Sequence, residues 1–207
     1  EDANISNANL EGANLSGANL EDANLWDTNL KDANLKSANL SGANLQDVDA
    51  SGANLEGANL SDAVLLDAKF KNVIFTDAKF SPVPHANDYS FCANAKTGTR
   101  IFETNLKGAN FSSVNMIGIC IRQSNLKNAN MSNAHLEDAF LYGTDFKNVN
   151  LSRAGLSFVD MRNTNLSDAD ASGANFYGAN LKGANLEGAN LEGANLEGAN
   201  LEGANLE

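Results

Sequence analysis

The apolar residues of this chain return at every fifth position. The first series runs from Ile5 to Phe80 in sixteen repeats, with Ala50 as its one small member. The second series runs from Ile101 to Leu206 in twenty-two repeats. A period of five matches neither the 3.6-residue period of an amphipathic helix nor the two-residue alternation of a flat strand. The pattern therefore predicts a chain that turns a corner every five residues.

The remaining positions of the repeat describe this corner. Two residues before each apolar centre the chain has a small or β-branched residue, and two residues after it mostly Gly, Asp, Asn or Ser. The latter residues, such as Gly12 and Asn72, tolerate the positive φ of a type II turn. Four such sides close a square, with the apolar centres inside and backbone hydrogen bonds to the coils above and below. At four repeats per coil, the sequence predicts about nine coils.

Tandem A(N/D)LXX units of this kind resemble the pentapeptide repeat family. The unit is most regular in the GANLE run at residues 188–207, and the resemblance covers about nine-tenths of the chain. It implies an all-β fold, namely a right-handed quadrilateral parallel β-helix. Long GANLE runs look most like cyanobacterial members of the family. Many members have no known function, and the fold alone implies none.

One segment, SPVPHANDYSFCANAKTG at residues 81–98, loses the pattern. Phe80 and Ile101 are 21 residues apart, which is one coil plus one residue, so the segment is either a distorted coil or a loop that leaves the coils. Excluding it aligns the exposed apolar side chains on one side of the solenoid, which favours the loop. The predicted organisation is a first β-helix segment at 1–81, an inserted loop at 82–98 and a second β-helix segment at 99–207.

The aligned column defines a candidate interaction stripe of aromatic and basic side chains. Exposed patches of this composition mark interfaces with an acidic or apolar partner. The alternative is that the loop covers the aromatic rings and that the lysines are merely solvated. The stripe comprises Phe102, Arg122, Tyr142, Arg162 and Lys182, with the neighbouring lysine ladder Lys107, Lys127 and Lys147.

The net charge of −12 disfavours direct nucleic-acid binding, because phosphates would be repelled. The acids include a candidate acidic column formed by Asp27, Asp47 and Asp67. The family resemblance supplies a precedent, since some members resemble duplex DNA and bind DNA gyrase. The charge density argues against strong mimicry: DNA carries one charge per ~1.7 Å, whereas this solenoid of about 45 Å carries one net charge per roughly 4 Å. A solubilising surface is the alternative.

The two cysteines, Cys92 and Cys120, are too few for a disulfide framework. Together with His85 and His135 they number four potential zinc ligands, but their spacing matches no zinc motif. The favoured hypothesis is a Cys92–Cys120 disulfide that holds the loop against the coils in an oxidising compartment.

No motif in the sequence points to catalysis. A column of serines at 112, 132, 152 and 172 has no adjoining base, and the sequence has no phosphate-binding loop. We therefore predict that the protein is not an enzyme and uses no cofactor or metal. The sequence favours a rigid scaffold or protein-interaction module within a larger protein, with a protein partner whose identity is open. The alternatives are an acidic DNA mimic that binds DNA gyrase or another topoisomerase, and a soluble domain tethered to a bacterial membrane protein.

No apolar run is long enough to span a membrane, so no membrane insertion of this segment is expected. The sequence leaves the compartment open, either the bacterial cytoplasm or an extracytoplasmic space, with attachment to a membrane through flanking sequence as a further possibility. The end coils of a solenoid expose unpaired backbone groups and core side chains. Ile5 and Leu206 lie in these end coils, which predicts end-to-end self-association.

The assigned register predicts opposite sensitivities at two neighbouring residues. Leu35→Lys is expected to lower the free energy of unfolding by several kcal/mol, because it places an unpaired charge in a dry column. Lys36→Ala removes only a solvated side chain and is expected to change the melting temperature little. Thermal unfolding of both variants checks the prediction, and equal melting temperatures would show that the register is wrong.

Overall fold

The computed structural model describes residues 2–82 and 98–207. In these residues the chain winds as a four-sided solenoid in which residues 20 apart stack in parallel pairs, such as Asn4 on Asn24 and Asn24 on Asn44. The described part contains strands, single bridges and turns and no helix. The predicted all-β fold of parallel coils is confirmed.

Backbone hydrogen bonds between coils hold each side of the square. Leu25 N donates to Asn44 O at 2.9 Å, and Asn44 N donates to Ala23 O at 3.0 Å. A third bond ties the corners together, from Asp27 N to Gln46 O at 3.0 Å. The pattern recurs throughout the described coils. Each side is too short to form a long strand, yet its backbone N–H and C=O groups are almost fully hydrogen-bonded.

Within the described residues, regular strands occur on one side of the square. They are β1 (Val64–Leu66), β2 (Arg100–Phe102) and β3 (Cys120–Arg122), which form a parallel sheet in the order β1-β2-β3. The small residue that begins the next side carries a hydroxyl in the two later coils. Thr104 Oγ1 donates to Leu65 O and Phe102 O, and Ser124 Oγ donates to Arg122 O at 2.9 Å. These bonds satisfy hydroxyl groups that would otherwise be buried without partners.

Every corner of the described coils places one residue in the left-handed region. The φ values range from 48° at Gln123 to 94° at Gly98. At most corners an i to i+3 bond closes the turn, as from Ala33 N to Leu30 O at 3.0 Å. This is the geometry of a type II turn, so the predicted corner is confirmed.

Asparagine precedes most apolar centres because its side chain makes two useful hydrogen bonds. Asn39 Oδ1 accepts from Ser41 N at 3.2 Å, which fixes the approach to the corner. The Nδ2 group of Asn39 donates to Asn19 Oδ1 of the neighbouring coil, and Asn59 repeats the contact on Asn39, both at 3.1 Å. The side-chain amides therefore form a ladder that links neighbouring coils on the outer surface, in addition to the backbone hydrogen bonds along each side.

The core consists of the apolar centres and the small residues beside them. Leu35 is 1% exposed, whereas the side chain of Lys36 is 50% exposed and forms an ion pair with Glu56 at 2.9 Å. Aromatic centres fill the core where the repeat is interrupted. The rings of Phe75 and Phe111 stack with centroids 4.6 Å apart and planes 5° apart, which makes the core continuous across the break.

The register across the break decides which residues stack. Val64 pairs with Arg100 and Leu65 with Ile101, a step of 36 residues instead of 20. This pairing is the column alignment expected when the interrupting segment forms no coil. Residues 83–97 lie outside the described residues, so the boundaries 1–81, 82–98 and 99–207 remain a prediction.

A polar cluster joins the two ends of the interruption. Asp62, from the coil below, accepts hydrogen bonds at Oδ1 from Gly98 N at 2.6 Å and from Ser81 Oγ at 3.2 Å. Thr99 N donates to Ser81 O at 3.0 Å, and Thr99 Oγ1 donates to Leu60 O at 2.8 Å. The chain therefore leaves and rejoins the same corner over the Asp62 carboxylate.

We expect Asp62→Ala to be less stable than Asp67→Ala by about 1–3 kcal/mol, because hydrogen bonds to a charged acceptor contribute in this range. Asp67 is a matched control, since both aspartates are exposed and have similar positive φ values of 61° and 54°. Urea unfolding of the two variants measures the difference. Equal stabilities would show that the carboxylate of Asp62 does not hold the interruption closed.

Candidate functional site

The four sides of the solenoid present distinct outward surfaces, because each side exposes the residue before and the residue after its centre. We name the faces A to D in chain order. Their centres on either side of the break are Leu65 and Ile101 for face A, Phe70 and Leu106 for face B, Phe75 and Phe111 for face C, and Phe80 and Met116 for face D.

The candidate interaction stripe lies in one column of face A. Phe102 stacks on Arg122 in the sheet, with the guanidinium carbon 5.7 Å from the ring centroid. Tyr142 and Arg162 repeat this arrangement at 5.9 Å in the following coils. Cations at such distances over aromatic faces make favourable cation–π contacts. The structure therefore brings the predicted aromatic and basic residues together as an alternating column.

Carboxylates neutralise the last two cations of the stripe. The guanidinium of Arg162 forms a two-pronged ion pair with Asp160, at 2.8 Å from Nε and 2.6 Å from the terminal nitrogen. Lys182 Nζ lies 3.0 Å from Glu202 Oε2. The sequence alone did not indicate Asp160 or Glu202 as partners, although Asp160 is only two residues from Arg162. The basic character of the stripe is therefore weaker than its composition suggests.

The lysine ladder lies on face B and is longer than predicted. Asn72 N donates to Lys107 O at 2.9 Å, which places Lys71 directly below Lys107 in the column that continues through Lys127 and Lys147. Lys71 precedes the break. Applying the 36-residue step across the break to Lys107 would have predicted that Lys71 belongs to the ladder. Four consecutive coils thus present lysine at one position of face B.

Only the later half of this ladder is paired. Lys127 Nζ lies 2.9 Å from Asp145, and Lys147 Nζ lies 3.3 Å from Asp168. Among the residues that the structure describes, no carboxylate lies within ion-pair distance of Lys71 or Lys107, and both side chains are exposed. The centre of face B therefore carries uncompensated positive charge on a protein that is acidic as a whole.

The acidic column lies at the corner between faces A and B. Asp27, Asp47 and Asp67 have φ values of 53°, 58° and 54°, so each occupies a turn position that favours aspartate for conformational reasons. Asp47 Oδ2 also accepts from Trp26 Nε1 at 3.0 Å and from Gln46 Nε2 at 3.2 Å. Above the break this corner continues with Glu103, Gln123, Gly143, Asn163 and Gly183. The column therefore loses its charge after Glu103, one coil beyond the break.

Two aspartates that replace the usual asparagine have lowered pKa values. Burial opposes ionisation of Asp49, but hydrogen bonds from Ser51 and the nearby Lys31 outweigh it and hold the pKa of Asp49 below its ordinary value. Hydrogen bonds from the hydroxyl and amide of Ser172, opposed by slight burial and assisted by Asn190, lower the pKa of Asp170. These carboxylates act as turn acceptors, so their ionisation contributes to the coil rather than to a reactive site.

The predicted disulfide falls partly outside the described residues. Cys120 is fully buried on β3, while Cys92 and His85 belong to the undescribed segment, so the pairing remains a prediction. His135 lies on face D with Nδ1 3.5 Å from Glu137 Oε1. Within residues 2–82 and 98–207 no group of three His, Cys, Asp or Glu residues is arranged to hold a metal ion. In the same ranges no helix has the length and apolar character needed to cross a membrane.

Comparison with known proteins gives a family and a set of similar folds. The family model described as Pentapeptide repeats matches in eight copies at residues 1–36, 38–77, 98–128, 129–168 and 169–207. HetL from the cyanobacterium Nostoc sp. strain PCC 7120, a pentapeptide repeat protein involved in heterocyst differentiation regulation, is 29% identical, with a TM-score of 0.52 over 98% of this chain and 86% of its own.

A second solved structure supports the fold alone. A trypsin-treated variant of QnrB1, a plasmid-mediated fluoroquinolone resistance protein, is 20% identical, with a TM-score of 0.56 over 96% of this chain and 83% of its own. No curated protein is similar enough to this chain to count as a match.

The lowered pKa of Asp170 predicts a pH-dependent contribution to stability. Because the folded pKa lies below the unfolded value of about 3.9, the contribution is complete above that value and is lost as the pH falls through the folded pKa. Asp170→Asn keeps an acceptor for Ser172 N and Asn190 Nδ2, which now contact Oδ1 at 3.1 and 3.2 Å. We expect the stability advantage of the wild type over this variant to shrink between pH 6 and pH 3.

The reverse substitution provides the control. Asn110 occupies the same column of face C and accepts from Ser112 N at 3.1 Å, so Asn110→Asp is expected to acquire the same pH dependence. Urea unfolding at several pH values measures both effects. A difference between wild type and Asp170→Asn that stays constant with pH would contradict the assignment.

Proposed function

Since the chain belongs to the pentapeptide repeat family, whose members fold as right-handed quadrilateral β-helices, we propose that it is a non-catalytic scaffold that binds an acidic protein partner. The partner is proposed to lie along face B and to extend over the stripe on face A. The observation that carries the proposal is the column Lys71, Lys107, Lys127 and Lys147, of which the first two have no carboxylate partner in the described part of the chain.

The energetics of the lysine column favour a negatively charged partner. Adjacent coils are about 4.8 Å apart, so the lysines of neighbouring coils emerge from the backbone at that spacing. Two unit charges at about this distance in water repel each other by on the order of 1 kcal/mol. Carboxylates from a partner would remove this repulsion at Lys71 and Lys107, as Asp145 and Asp168 do within the chain for the other two lysines.

The rigidity of the solenoid supports a scaffold role. Each coil is tied to the next by backbone bonds on its sides and corners and by side-chain amide bonds such as that from Asn59 to Asn39. Binding groups mounted on such a framework lose little conformational freedom on association, which favours affinity. A regular column at coil spacing also matches an extended acidic segment better than a compact small molecule.

The distribution of reactive side chains supports a non-catalytic role. The stacked serines lie on face C, whereas His135, the one histidine in the described residues, lies on face D beside Glu137. A serine nucleophile needs a base within hydrogen-bond reach, and these groups lie on different sides of the square. The hydroxyl of Ser152 instead donates to Asn150 Oδ1 at 2.7 Å, as part of the corner.

A duplex-DNA mimic acting on DNA gyrase or another topoisomerase is the second candidate. The observation in its favour is that aspartates line both corners of face A in the first four coils. They are Asp2, Asp22 and Asp62 at one corner and Asp27, Asp47 and Asp67 at the other. The bases on faces A and B, and the end of the acidic column one coil beyond the break, make this candidate weaker than a scaffold with an acidic partner.

A double variant tests the lysine ladder. We expect Lys71→Ser with Lys107→Ser to weaken binding of a fluorescently labelled ten-residue glutamate peptide by about three- to tenfold, since exposed ion pairs contribute about 0.2–1 kcal/mol each. Serine is compatible with the fold, because Ser51 and Ser167 occupy this position in flanking coils. Fluorescence anisotropy at low and physiological salt gives the affinities.

The control removes two lysines that lie on faces C and D. Lys36 on face C is paired with Glu56, and Lys79 lies on face D, so Lys36→Ser with Lys79→Ser makes the same change in net charge and is expected to change the affinity less than about twofold. Equal losses in both double variants would mean that only net charge matters and would refute the site. A gyrase supercoiling assay tests the second candidate, which predicts inhibition by the wild type that is unaffected by loss of Lys71 and Lys107.

A further inference from the structure

An exposed tryptophan lies on face A below the break. Trp26 is 41% exposed and follows the centre Leu25, in the column that continues above the break as the candidate interaction stripe. The flanking coils carry Ser6 and Gln46 at this position, so the solenoid itself requires no aromatic residue here. Tryptophan is among the residues most enriched at protein interfaces, where its large ring supplies much of the contact area. The indole therefore marks this part of face A for binding.

A carboxylate of the neighbouring coil holds the indole in place. Trp26 Nε1 donates to Asp47 Oδ2 at 3.0 Å, and Gln46 Nε2 donates to the same oxygen at 3.2 Å. Asp47 occupies the corner between faces A and B, so the ring is fixed beside this corner. Its second oxygen, Oδ1, accepts no hydrogen bond from the described residues. A ring that is already held in one orientation loses little conformational freedom when a partner stacks on it.

Aspartates border the tryptophan at both corners of face A. Asp27 and Asp67 are exposed, and within residues 2–82 and 98–207 neither carboxylate accepts a hydrogen bond or forms an ion pair. Below the break, the outward positions of face A between the two corners contain no lysine or arginine. The indole therefore lies in a strip of uncompensated negative charge. The bordering aspartates are Asp22 and Asp62 at one corner and Asp27, Asp47 and Asp67 at the other.

The repulsion within the aspartate columns favours a basic partner. Corner residues of neighbouring coils emerge about 4.8 Å apart, and two unit charges at this distance in water repel each other by on the order of 1 kcal/mol. Bases of a partner would remove this repulsion, and the acidic face would speed their approach. Because carboxylates recur on both sides of the ring, several bases along one segment fit the surface better than a single small cation does.

We propose that face A below the break docks a basic segment of a protein partner, with an arginine side chain stacked on Trp26 and hydrogen-bonded to Asp27. A guanidinium group is planar, stacks on indole rings and donates in pairs to carboxylates. Both kinds of contact are available at one place, since Asp27 follows Trp26 directly and Asp47 touches the ring. This surface uses none of the lysines of face B. Unlike a duplex mimic, it depends on the indole as well as on the aspartates.

Tryptophan fluorescence reports on this site directly, because Trp26 is the only tryptophan in the chain. A capped ten-residue peptide of alternating arginine and glycine is expected to change the emission in a saturable way and to protect the indole from quenching by acrylamide. The matching lysine–glycine peptide is expected to bind more weakly, because an ammonium group has no planar surface to stack. Emission that stays unchanged up to millimolar arginine peptide would overturn the proposal, as would equal affinities of the two peptides.

Fluorescence anisotropy of the labelled arginine peptide measures the variants of the ring. Trp26→Ser, with the residue found at Ser6 in the same column, is expected to raise the Kd about two- to fivefold, the fold-change of a lost exposed cation–π contact. Trp26→Phe is expected to keep part of the affinity, because phenylalanine retains an aromatic face but cannot donate to Asp47. Thermal unfolding checks that each variant is folded. A folded Trp26→Ser variant with the wild-type Kd would refute the site.

Asp27→Asn tests the carboxylate against a control of equal charge. Asparagine suits the positive φ of this corner, as Asn7 does at 59° in the same column. The substitution is expected to raise the Kd about two- to fivefold, as for an exposed ion pair. Asp77→Asn makes the same change at an exposed corner between faces C and D, where φ is 58°, and is expected to have no effect. Equal losses in both variants would show attraction to net charge alone and would overturn the proposal.

Two further measurements separate this surface from face B and from self-association. Lys71→Ser with Lys107→Ser is expected to change the affinity for the arginine peptide less than about twofold, and Trp26→Ser is expected to do the same for the glutamate peptide. Each site can therefore fail without the other. Light scattering that shows a wild-type dimer lost in Trp26→Ser would overturn the proposal, because the occupant of face A would then be a second copy of this chain.

Discussion

The left-handed corner is the constraint on which the rest of the structure depends. The backbone enters positive φ once in every five residues, and only then can four short sides close and place their N–H and C=O groups against the next coil. Gly, Asn and Asp tolerate this conformation best, and Asp occupies ten of the described corners. Much of the acidity of the protein is therefore a consequence of turn chemistry, which weakens the inference from net charge to DNA mimicry.

The same constraint separates residues that build the solenoid from residues that are free to bind. Apolar centres, small residues and corners are fixed by burial and φ, and most positions before a centre are fixed by the amide ladder. The position after each centre is constrained by neither burial, φ nor the amide ladder, and its residue type varies most from coil to coil. Lysine on face B, aromatic and basic residues on face A, and Tyr177 on face D all occupy this position.

Phe158 is an exception to this separation. It takes a corner position, where the fold has a strong preference, and fills it with a residue that disfavours the conformation. Face D and face B are related by half a coil and therefore lie on opposite sides of the square.

The sequence by itself determined the period, the core, the corners and the alignment of columns, because one short repeat specifies the backbone of every coil. Leu35, Lys36 and the stripe residues Phe102, Arg122, Tyr142 and Arg162 all lie where the repeat predicts. At the break the alignment of columns favoured an excluded loop, although 21 residues between centres also suit a distorted coil. Only the pairing of Val64 with Arg100 fixed the register, and this pairing added Lys71 to the ladder.

The tertiary structure alone decided which outward side chains neutralise one another. Three features depend on side-chain rotamers and on contacts between coils. They are the ion pair of Arg162 with Asp160, the hydrogen bond from Gly98 N to Asp62, and the buried Oε2 of Glu137, which has no hydrogen-bond donor among the described residues. A five-residue period places these groups in columns but does not state which way each side chain turns. The fold therefore follows from the repeat, whereas the charge left for a partner follows from packing between coils.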